Sequence, residues 1–255
     1  MSDFIIENGI LVQYIGDDEV VVIPDGVVEI GEEAFERNKD LQEVFFSETI
    51  KKIGKRAFLW CENLKKVQLS KCLYDIDEEC FYECKKLKEI DIPDTVEKIG
   101  KFVFFRCPLE KIQLPENLKV IGEWAFSECI YLREIIFPKN LEIIDKGAFS
   151  NCESLTNISI PDDVVEIREW AFWDCRSLEK VDFRKTVKFG QGCFKGCESL
   201  ANENGFVIVN DILFDYFNKE PIVKLPKNVR IIDLSAIDDT FDEFSVFKFI
   251  VLSDE

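Results

Sequence analysis

The sequence predicts an α/β solenoid, an elongated fold in which short coils of chain stack on one another, and two periodic residue series lead to that prediction. The first is a phenylalanine that recurs at intervals of 22 or 23 residues: Phe35, Phe58, Phe81, Phe104, Phe126, Phe149, Phe172 and Phe194. The second is a cysteine three residues after seven of these phenylalanines: Cys61, Cys84, Cys107, Cys129, Cys152, Cys175 and Cys197. Repeats of this length are typical of solenoids, whose units bury a shared core only by stacking on their neighbours.

The first element is a predicted β-hairpin in residues 1–22, which we expect to cap the N-terminal end of the repeat core. Apolar segments at residues 4–6 and 10–12 are joined through Asn8 and Gly9. Asn-Gly is a strong hairpin signal because both residues accept positive φ angles. A cap is needed because the end of a stack otherwise exposes apolar surface and unpaired strand edges.

Residues 23–202 form about eight repeats with the consensus I-P-D-x-V-x-x-I-G-x-x-A-F-x-x-C-x-x-L-x-x-I-x. The Leu-x-x-Ile-x-Ile part predicts a short strand whose alternate residues face inward, and the proline that follows ends its pairing. The Gly-x-x-Ala-Phe-x-x-Cys part predicts a helical turn or two with Ala, Phe and Cys facing the core. A further apolar series just before that turn is also expected to face inward: Ile30, Ile53, Ile76, Ile99, Ile121, Ile144 and Ile167.

Residues 203–255 restart the opening module. Seven apolar or small residues match the opening module at an offset of 202: Phe206, Ile208, Leu213, Pro226, Val229, Ile232 and Ala236. We interpret this region as a degenerate repeat with a second hairpin and an acidic insertion at residues 238–243, which packs on the array as its C-terminal cap. A separate domain is the alternative.

The repeat resembles the BspA-type branch of the leucine-rich repeat family, in which Ile-Pro-Asp, Ile-Gly, Ala-Phe and Cys-x-x-Leu occur in this order. The resemblance covers residues 20 to about 201 and recurs in eight units. It implies a right-handed superhelix with a parallel sheet along one face, and the predicted helical turns then lie on the other. It also implies a protein that binds other proteins, commonly at the cell surface.

The charge balance excludes some classes of partner. The chain has 32 basic and 50 acidic residues, a net charge of −18. Nucleic acids and anionic membranes attract basic surfaces, so we expect no nucleic-acid partner and no membrane insertion. The N-terminal residues lack the basic and apolar regions of a secretory signal, which predicts a cytoplasmic protein. The alternative is a secreted or cell-surface protein whose signal has been removed.

The sequence also argues against an enzyme. It contains no histidine, and neither a phosphate-binding loop nor a dinucleotide-binding motif is present, so we expect no catalytic residues and no cofactor. Cys80 and Cys193 lie four residues before Cys84 and Cys197, which leaves metal or redox chemistry open. Both occupy a position where other repeats carry alanine, so we favour buried, unreactive core cysteines and expect no metal. Cys72 is the best candidate for an accessible thiol.

The predicted sites are therefore surfaces. In each predicted strand, the residue between the last two inward positions points outward and forms a column: Phe45, Gln68, Asp91, Gln113, Ile136, Ser159 and Asp182. A second candidate is a set of tryptophans near the predicted helical turns: Trp60, Trp124 and Trp173. Tyr and Trp are favoured anchors in protein interfaces.

We interpret these surfaces as the binding sites of a non-enzymatic module for a protein partner, which the acidic charge predicts to be basic. The alternative is a carbohydrate- or cell-surface-binding adhesin, for which the three tryptophans would form a flat platform. The sequence predicts neither the partner's identity nor the oligomeric state.

Overall fold

The computed structural model describes residues 3–218, 222–238 and 248–250, and within them it shows a β-solenoid of stacked parallel coils. The strands are β1 (Phe4–Glu7), β2 (Ile10–Tyr14), β3 (Val20–Val22), β4 (Glu29–Ile30), β5 (Glu43–Phe45), β6 (Lys52–Ile53), β7 (Lys66–Gln68), β8 (Asp75–Ile76), β9 (Lys98–Ile99), β10 (Lys111–Gln113), β11 (Val120–Ile121), β12 (Glu134–Ile136), β13 (Ile143–Ile144), β14 (Asn157–Ser159), β15 (Glu166–Ile167), β16 (Lys180–Asp182), β17 (Lys188–Phe189), β18 (Phe206–Val209), β19 (Ile212–Tyr216), β20 (Ile222–Lys224), β21 (Ile231–Ile232) and β22 (Lys248–Ile250). A 3₁₀ turn at Glu198–Leu200 and a short α-helix at Ser235–Asp238 complete the described elements.

The predicted strands pair in parallel as an outer ladder. Its first part has the order β3-β5-β7 and its second part has the order β10-β12-β14-β16. In the coil between these parts the segment before Ile92 forms no strand, and only an isolated bridge between Asp91 and Gln113 continues the ladder. The outer ladder is therefore interrupted once, at the third repeat.

A second ladder, which the sequence did not predict as strands, runs through the isoleucine series. Its order is β1-β2-β4-β6-β8-β9-β11-β13-β15-β17. β1 and β2 are antiparallel and the other pairs are parallel. Each parallel rung after β2 is two residues long, as in β6, where Lys52 is half-buried and Ile53 is buried. A strand of two residues is too short to show the alternation of apolar and polar residues that predicts a strand. The sequence therefore indicated only that the isoleucine faces inward.

The predicted helical turns are not confirmed, since the described residues between the repeat glycine and cysteine form hydrogen-bonded turns instead. Two residues of each turn are left-handed, with φ between 53° and 76°. They lie two residues before and two residues after the core phenylalanine: Glu33, Arg56, Glu79, Phe102, Trp124, Gly147, Trp170 and Gly192, then Arg37, Trp60, Glu83, Arg106, Glu128, Asn151, Asp174 and Gly196. Because L-residues continue a right-handed helix only with negative φ, these positions exclude one.

The left-handed residues turn alternate backbone amides towards the next coil. The N–H groups of Phe58 and Trp60 donate to the carbonyls of Cys80 and Tyr82, each at 2.9 Å, whereas the N–H of Leu59 donates within its own turn. The same alternation recurs along the array, which makes the turns a third inter-coil ladder. A left-handed L-residue costs roughly 1–2 kcal/mol. We attribute the tolerance of this cost to the inter-coil hydrogen bonds that the left-handed residues allow, because these amides would otherwise be buried without a partner.

The predicted core is confirmed. All eight repeat phenylalanines are buried, and successive rings stack with centroids 4.8 to 5.6 Å apart and interplanar angles of 17° or less. Each repeat cysteine is buried as well, and its thiol donates to the carbonyl of the phenylalanine one coil earlier, as Cys107 does to Phe81 at 3.0 Å. The first repeat carries Asn38 instead, whose side chain donates to the carbonyl of Gly16 in the preceding hairpin segment.

Burial also raises the pKa values of these thiols, which disfavours the reactive thiolate form. It raises the pKa of Cys61, Cys107 and Cys193 to about 12, and the pKa values of the other buried thiols rise in the same direction. Cys72 alone among the ten cysteines is exposed. In the described part of the chain, no group of three or more cysteine or acidic side chains is arranged to hold a metal ion.

The residues that follow position 203 pack on the last coil of the repeats in residues 23–202. β18 and β19 pair in the register of β1 and β2, with the bulge at the matching place. Phe214 packs on Phe194, with ring centroids 5.3 Å apart. Asp215 accepts a hydrogen bond from the N–H of Gly196 at 2.8 Å, and Asp233 accepts one from the N–H of Gly192 at 3.2 Å. These carboxylates take the place of the carbonyls that a further coil would offer.

The two hairpins differ in what covers them. Val207 is fully buried against the repeats in residues 23–202, whereas its counterpart Ile5 is 38% exposed at the open end. β20 and β22 form a parallel pair on either side of the predicted acidic insertion. Residues 239–243 of that insertion lie outside the described residues. The assignment of residues 203–255 as a C-terminal cap stays a prediction.

A thiol titration tests the burial of the cysteine series. Native protein at pH 8 should show one fast-reacting thiol, because only Cys72 is exposed and burial keeps the other thiols protonated. In 6 M guanidinium chloride all ten cysteines should react. Cys72→Ser should abolish the native reaction, and two or more fast thiols in the native protein would contradict the packing.

Candidate functional site

The predicted strand column lies along one side of the solenoid, in two paired parts. Phe45 lies opposite Gln68 in the first part, Gln113 lies opposite Ile136 in the second, and the bridge from Asp91 to Gln113 extends the second part by one residue. Ser159 and Asp182 continue the column in register. The structure thus brings all seven predicted residues onto one face, where six are exposed and Phe45 is half-buried.

Apolar side chains lie at two places on this face. Ile136 is 82% exposed, which is far more than a structural isoleucine requires. Val20 and Val22 of β3, which the sequence analysis missed, are exposed on the rung next to Phe45. The register of β3 and β5 could have revealed them, since Val22 lies opposite Phe45.

The residues two positions earlier in each strand form a neighbouring column of mostly charged side chains, and among the described residues it holds few ion pairs. Lys111 lies 3.3 Å from Glu89 on the neighbouring coil, and Lys180 lies 2.5 Å from Asp182 within its own strand. Lys66 instead covers the ring of Phe45, with its ammonium 5.1 Å from the ring centroid. Such exposed pairs each stabilise a protein by about 1 kcal/mol or less, so the column mainly sets the local charge.

A groove lies beside Ile136. It has a volume of about 800 Å³ and is lined by parts of three coils, including Ile136, Ser159, Phe183 and the charged rim residues Asp163 and Arg184. A smaller groove of about 500 Å³ lies between Gln68 and Asp91. The strand face therefore combines an apolar projection with a partly polar concave surface, as interface cores and rims do.

The turn edge carries a second surface, a ribbon of aromatic side chains in mutual contact. Its members are Trp60, Tyr82, Phe102, Phe105, Trp124 and Trp170. Phe102 stacks on Trp124 at 6.3 Å, and Trp124 reaches Trp170, which is two coils further on, at 6.3 Å. This reach depends on Gly147, because a Cβ there would lie 2.2 Å from the Trp124 ring.

Cations cover part of the aromatic ribbon. Arg37 lies 4.3 Å from the ring centroid of Trp60, and Lys146 lies 4.7 Å from that of Trp170. Trp60 and Trp124 are half-buried. Much of the ribbon therefore packs against its own coil neighbours.

The three predicted tryptophans do not share one platform. Trp124 stands two residues before its core phenylalanine, Trp60 stands two after, and Trp173 stands one after. The ring contacts of Trp60 and Trp124 are with other aromatic residues of the ribbon. Trp173 is 37% exposed in a different column.

Within the described ranges, no helix has the length and apolar character needed to cross a lipid bilayer.

Comparison with known families identifies the repeats. The family model described as "BspA type Leucine rich repeat region" matches residues 17–133 and 125–242, in six copies. The chain belongs to the BspA-type leucine-rich repeat family. This confirms the resemblance inferred from the Ala-Phe-x-x-Cys-x-x-Leu motif. No curated protein matches the chain in sequence.

Solved leucine-rich repeat structures share the fold. A protein from Bacteroides ovatus has 25% identity and a TM-score of 0.68 over 84% of this BspA-type chain, which spans 53% of that protein. The leucine-rich repeat protein of T. pallidum has 30% identity and a TM-score of 0.55, with coverage of 76% of this chain and 83% of the other. A protein from Eubacterium ventriosum, at 17% identity and a TM-score of 0.51 over 72% of this chain and 59% of its own, shows the fold alone.

Substitution of Gly147 tests the packing of the aromatic ribbon. Gly26→Ala is the control, since Gly26 is left-handed with open space around its Cβ position, and it should cost about 1–2 kcal/mol of unfolding free energy. Gly147→Ala should cost about 1–3 kcal/mol more, because the new methyl group displaces the Trp124 ring.

The added cost should disappear in a Trp124→Ala background, as measured by urea unfolding of the four combinations. Equal losses for Gly147→Ala in both backgrounds would show that Trp124 does not pack over Gly147.

Proposed function

We propose that this BspA-type repeat protein is a non-enzymatic protein-interaction module that binds its partner through the outer strand ladder. The exposure of Ile136 beside a groove of about 800 Å³ is the observation that supports this most. An apolar side chain held on a rigid ladder keeps little conformational freedom to lose on binding, which favours it as an anchor. Phe45 and Val22 offer a second apolar contact on the same face.

The partner in this proposal is a protein with a basic surface. The net charge of −18 favours fast association with a cation-rich protein, and the effect should weaken as salt is added. Asp91 and Asp182 lie within the strand face and would meet such charges directly. The cytoplasmic location and its cell-surface alternative stay predictions.

The adhesin alternative loses the support that a tryptophan platform would have given it. Trp60, Trp124 and Trp173 occupy three different columns, and two of them are half-buried. We therefore assign the partner site to the strand face, and the aromatic ribbon chiefly to packing between coils.

Affinity capture from a native lysate tests the strand face. The triple variant Phe45→Ala/Asp91→Ala/Ile136→Ala should reduce recovery of the captured protein at least about tenfold, since anchor residues each contribute about 1 kcal/mol or more. The matched control is Tyr74→Ala/Glu97→Ala/Val165→Ala, which changes three exposed residues of the same kinds in another column.

Both variants should unfold at the wild-type temperature within a few degrees. Recovery that is unchanged in the strand-face variant, or reduced equally in the control, would remove the strand-face assignment.

A further inference from the structure

The fourth repeat lacks one residue, and the gap leaves a notch on the loop edge of the array. In the other repeats with this cysteine two residues stand between it and the leucine, but only Pro108 stands between Cys107 and Leu109. This accounts for the 22-residue interval between Phe104 and Phe126. The interruption of the outer ladder lies on the coil just before this shortened loop. The deletion therefore opens the surface between two coils.

The notch is positively charged in an otherwise acidic protein. It has a volume of about 850 Å³, within the ~300–1,000 Å³ typical of ligand sites. Five lysines from successive coils line it, against two glutamates, for a local charge of +3: Lys65, Lys85, Lys86, Lys88 and Lys111. With a net charge of −18 over the whole chain, this concentration of lysine is a local reversal of sign.

Three of these lysines are neutralised by carboxylates. Lys88 donates to Glu110 at 2.7 Å, and this hydrogen bond raises the pKa of Lys88. Lys85 donates to Glu62 at 2.8 Å, and Lys111 lies 3.3 Å from Glu89. These ion pairs link neighbouring coils around the notch, and the paired lysines have less positive charge available for a ligand.

The other two lysines are paired with neutral amides instead of carboxylates. The ammonium of Lys65 donates to the amide oxygen of Gln42, and that of Lys86 donates to the amide oxygen of Asn63, each at 2.6 Å. Among the described residues, neither ammonium has a carboxylate within 4.0 Å. The amides orient the two cations without neutralising them, so the notch presents two fixed positive charges.

The remaining lining indicates which anion fits. Tyr131, which is 54% exposed, and Pro108 form part of the lining. These two side chains offer apolar surface in the same notch as the cations. Arginine, whose planar fork binds carboxylates and phosphates with two parallel hydrogen bonds, is absent from the described lining. Lysine suits a compact oxyanion such as a sulfate or phosphate ester.

We propose that the notch, which is lined by the second to fifth repeats, binds an oligosaccharide that carries sulfate or phosphate ester groups. Lys65 and Lys86 bind the ester oxyanions, and the face of Tyr131 packs on a sugar ring. This site is separate from the proposed protein-binding residues of the strand face.

Isothermal titration with one sugar backbone tests the proposal. The ligands are maltohexaose with 6-sulfate esters, the same sugar with 6-phosphate esters and unmodified maltohexaose, with hexaglutamate as an acidic peptide. At least one ester-bearing sugar should bind, and the stronger of the two identifies the ester. The unmodified sugar should not bind, and hexaglutamate should bind at least tenfold more weakly than the stronger ester-bearing sugar.

Variants of the notch separate its parts. Lys65→Gln/Lys86→Gln should weaken the binding of the ester-bearing sugar at least tenfold. The control Lys119→Gln/Lys180→Gln removes the same charge elsewhere and should leave the affinity for that sugar within twofold of the wild-type value. Tyr131→Ala should weaken the binding of the ester-bearing sugar at least threefold and leave the binding of hexaglutamate unchanged.

Three results would overturn the proposal. They are failure of both esters to bind, equal weakening by the notch and control lysine variants, and hexaglutamate binding as tight as that of the ester-bearing sugar. The last result would assign the notch to an acidic peptide instead.

Discussion

Each repeat depends on backbone hydrogen bonds to the next coil, made at three places around the chain. The isoleucine rungs, the outer strands and the left-handed turns each form a ladder. Together they set every coil at one spacing, so that side chains at equivalent positions must stack. The phenylalanine rings and the cysteine thiols then pack within that spacing, as Phe81 does on Phe104 at 5.6 Å and Cys107 does on the Phe81 carbonyl. A coil cannot satisfy these groups alone.

The same constraint places functional variety on the outside. A buried position is shared by all coils, whereas an outward position can change without disturbing the ladders. Ile136 stands between Gln113 and Ser159 in a mostly polar column, and lysines of neighbouring coils surround a notch where one residue is missing beside Pro108. At the last coil of the repeats, outward variation is restricted instead. Asp215 and Asp233 supply the hydrogen-bond acceptors that a further coil would have supplied.

The core series and the outer strand face could be predicted from the sequence, because inward residues such as Phe126 and outward residues such as Gln113 recur at a fixed spacing. The turn geometry could not be predicted. Trp60, Glu83 and Arg106 are left-handed, yet none of these residue types favours positive φ, so helical spacing looked equally consistent. The notch had a signal in the shortened interval before Phe126. Which lysines meet there depends on the register of separate coils, and the contact of Trp124 with Trp170 depends on the absence of a side chain at Gly147 between them.

Hydrogen exchange of a Phe104→Ala variant, followed by mass spectrometry, tests the shared core most directly. Phe104 packs between Phe81 and Phe126, so its loss should reduce the protection of the turn amides in both neighbouring coils as well as in its own. We expect a destabilisation of about 3–5 kcal/mol at the centre of the array, as for other buried phenylalanines. Increased exchange confined to residues 100–109, with unchanged protection around Phe81 and Phe126, would contradict the dependence of each coil on its neighbours.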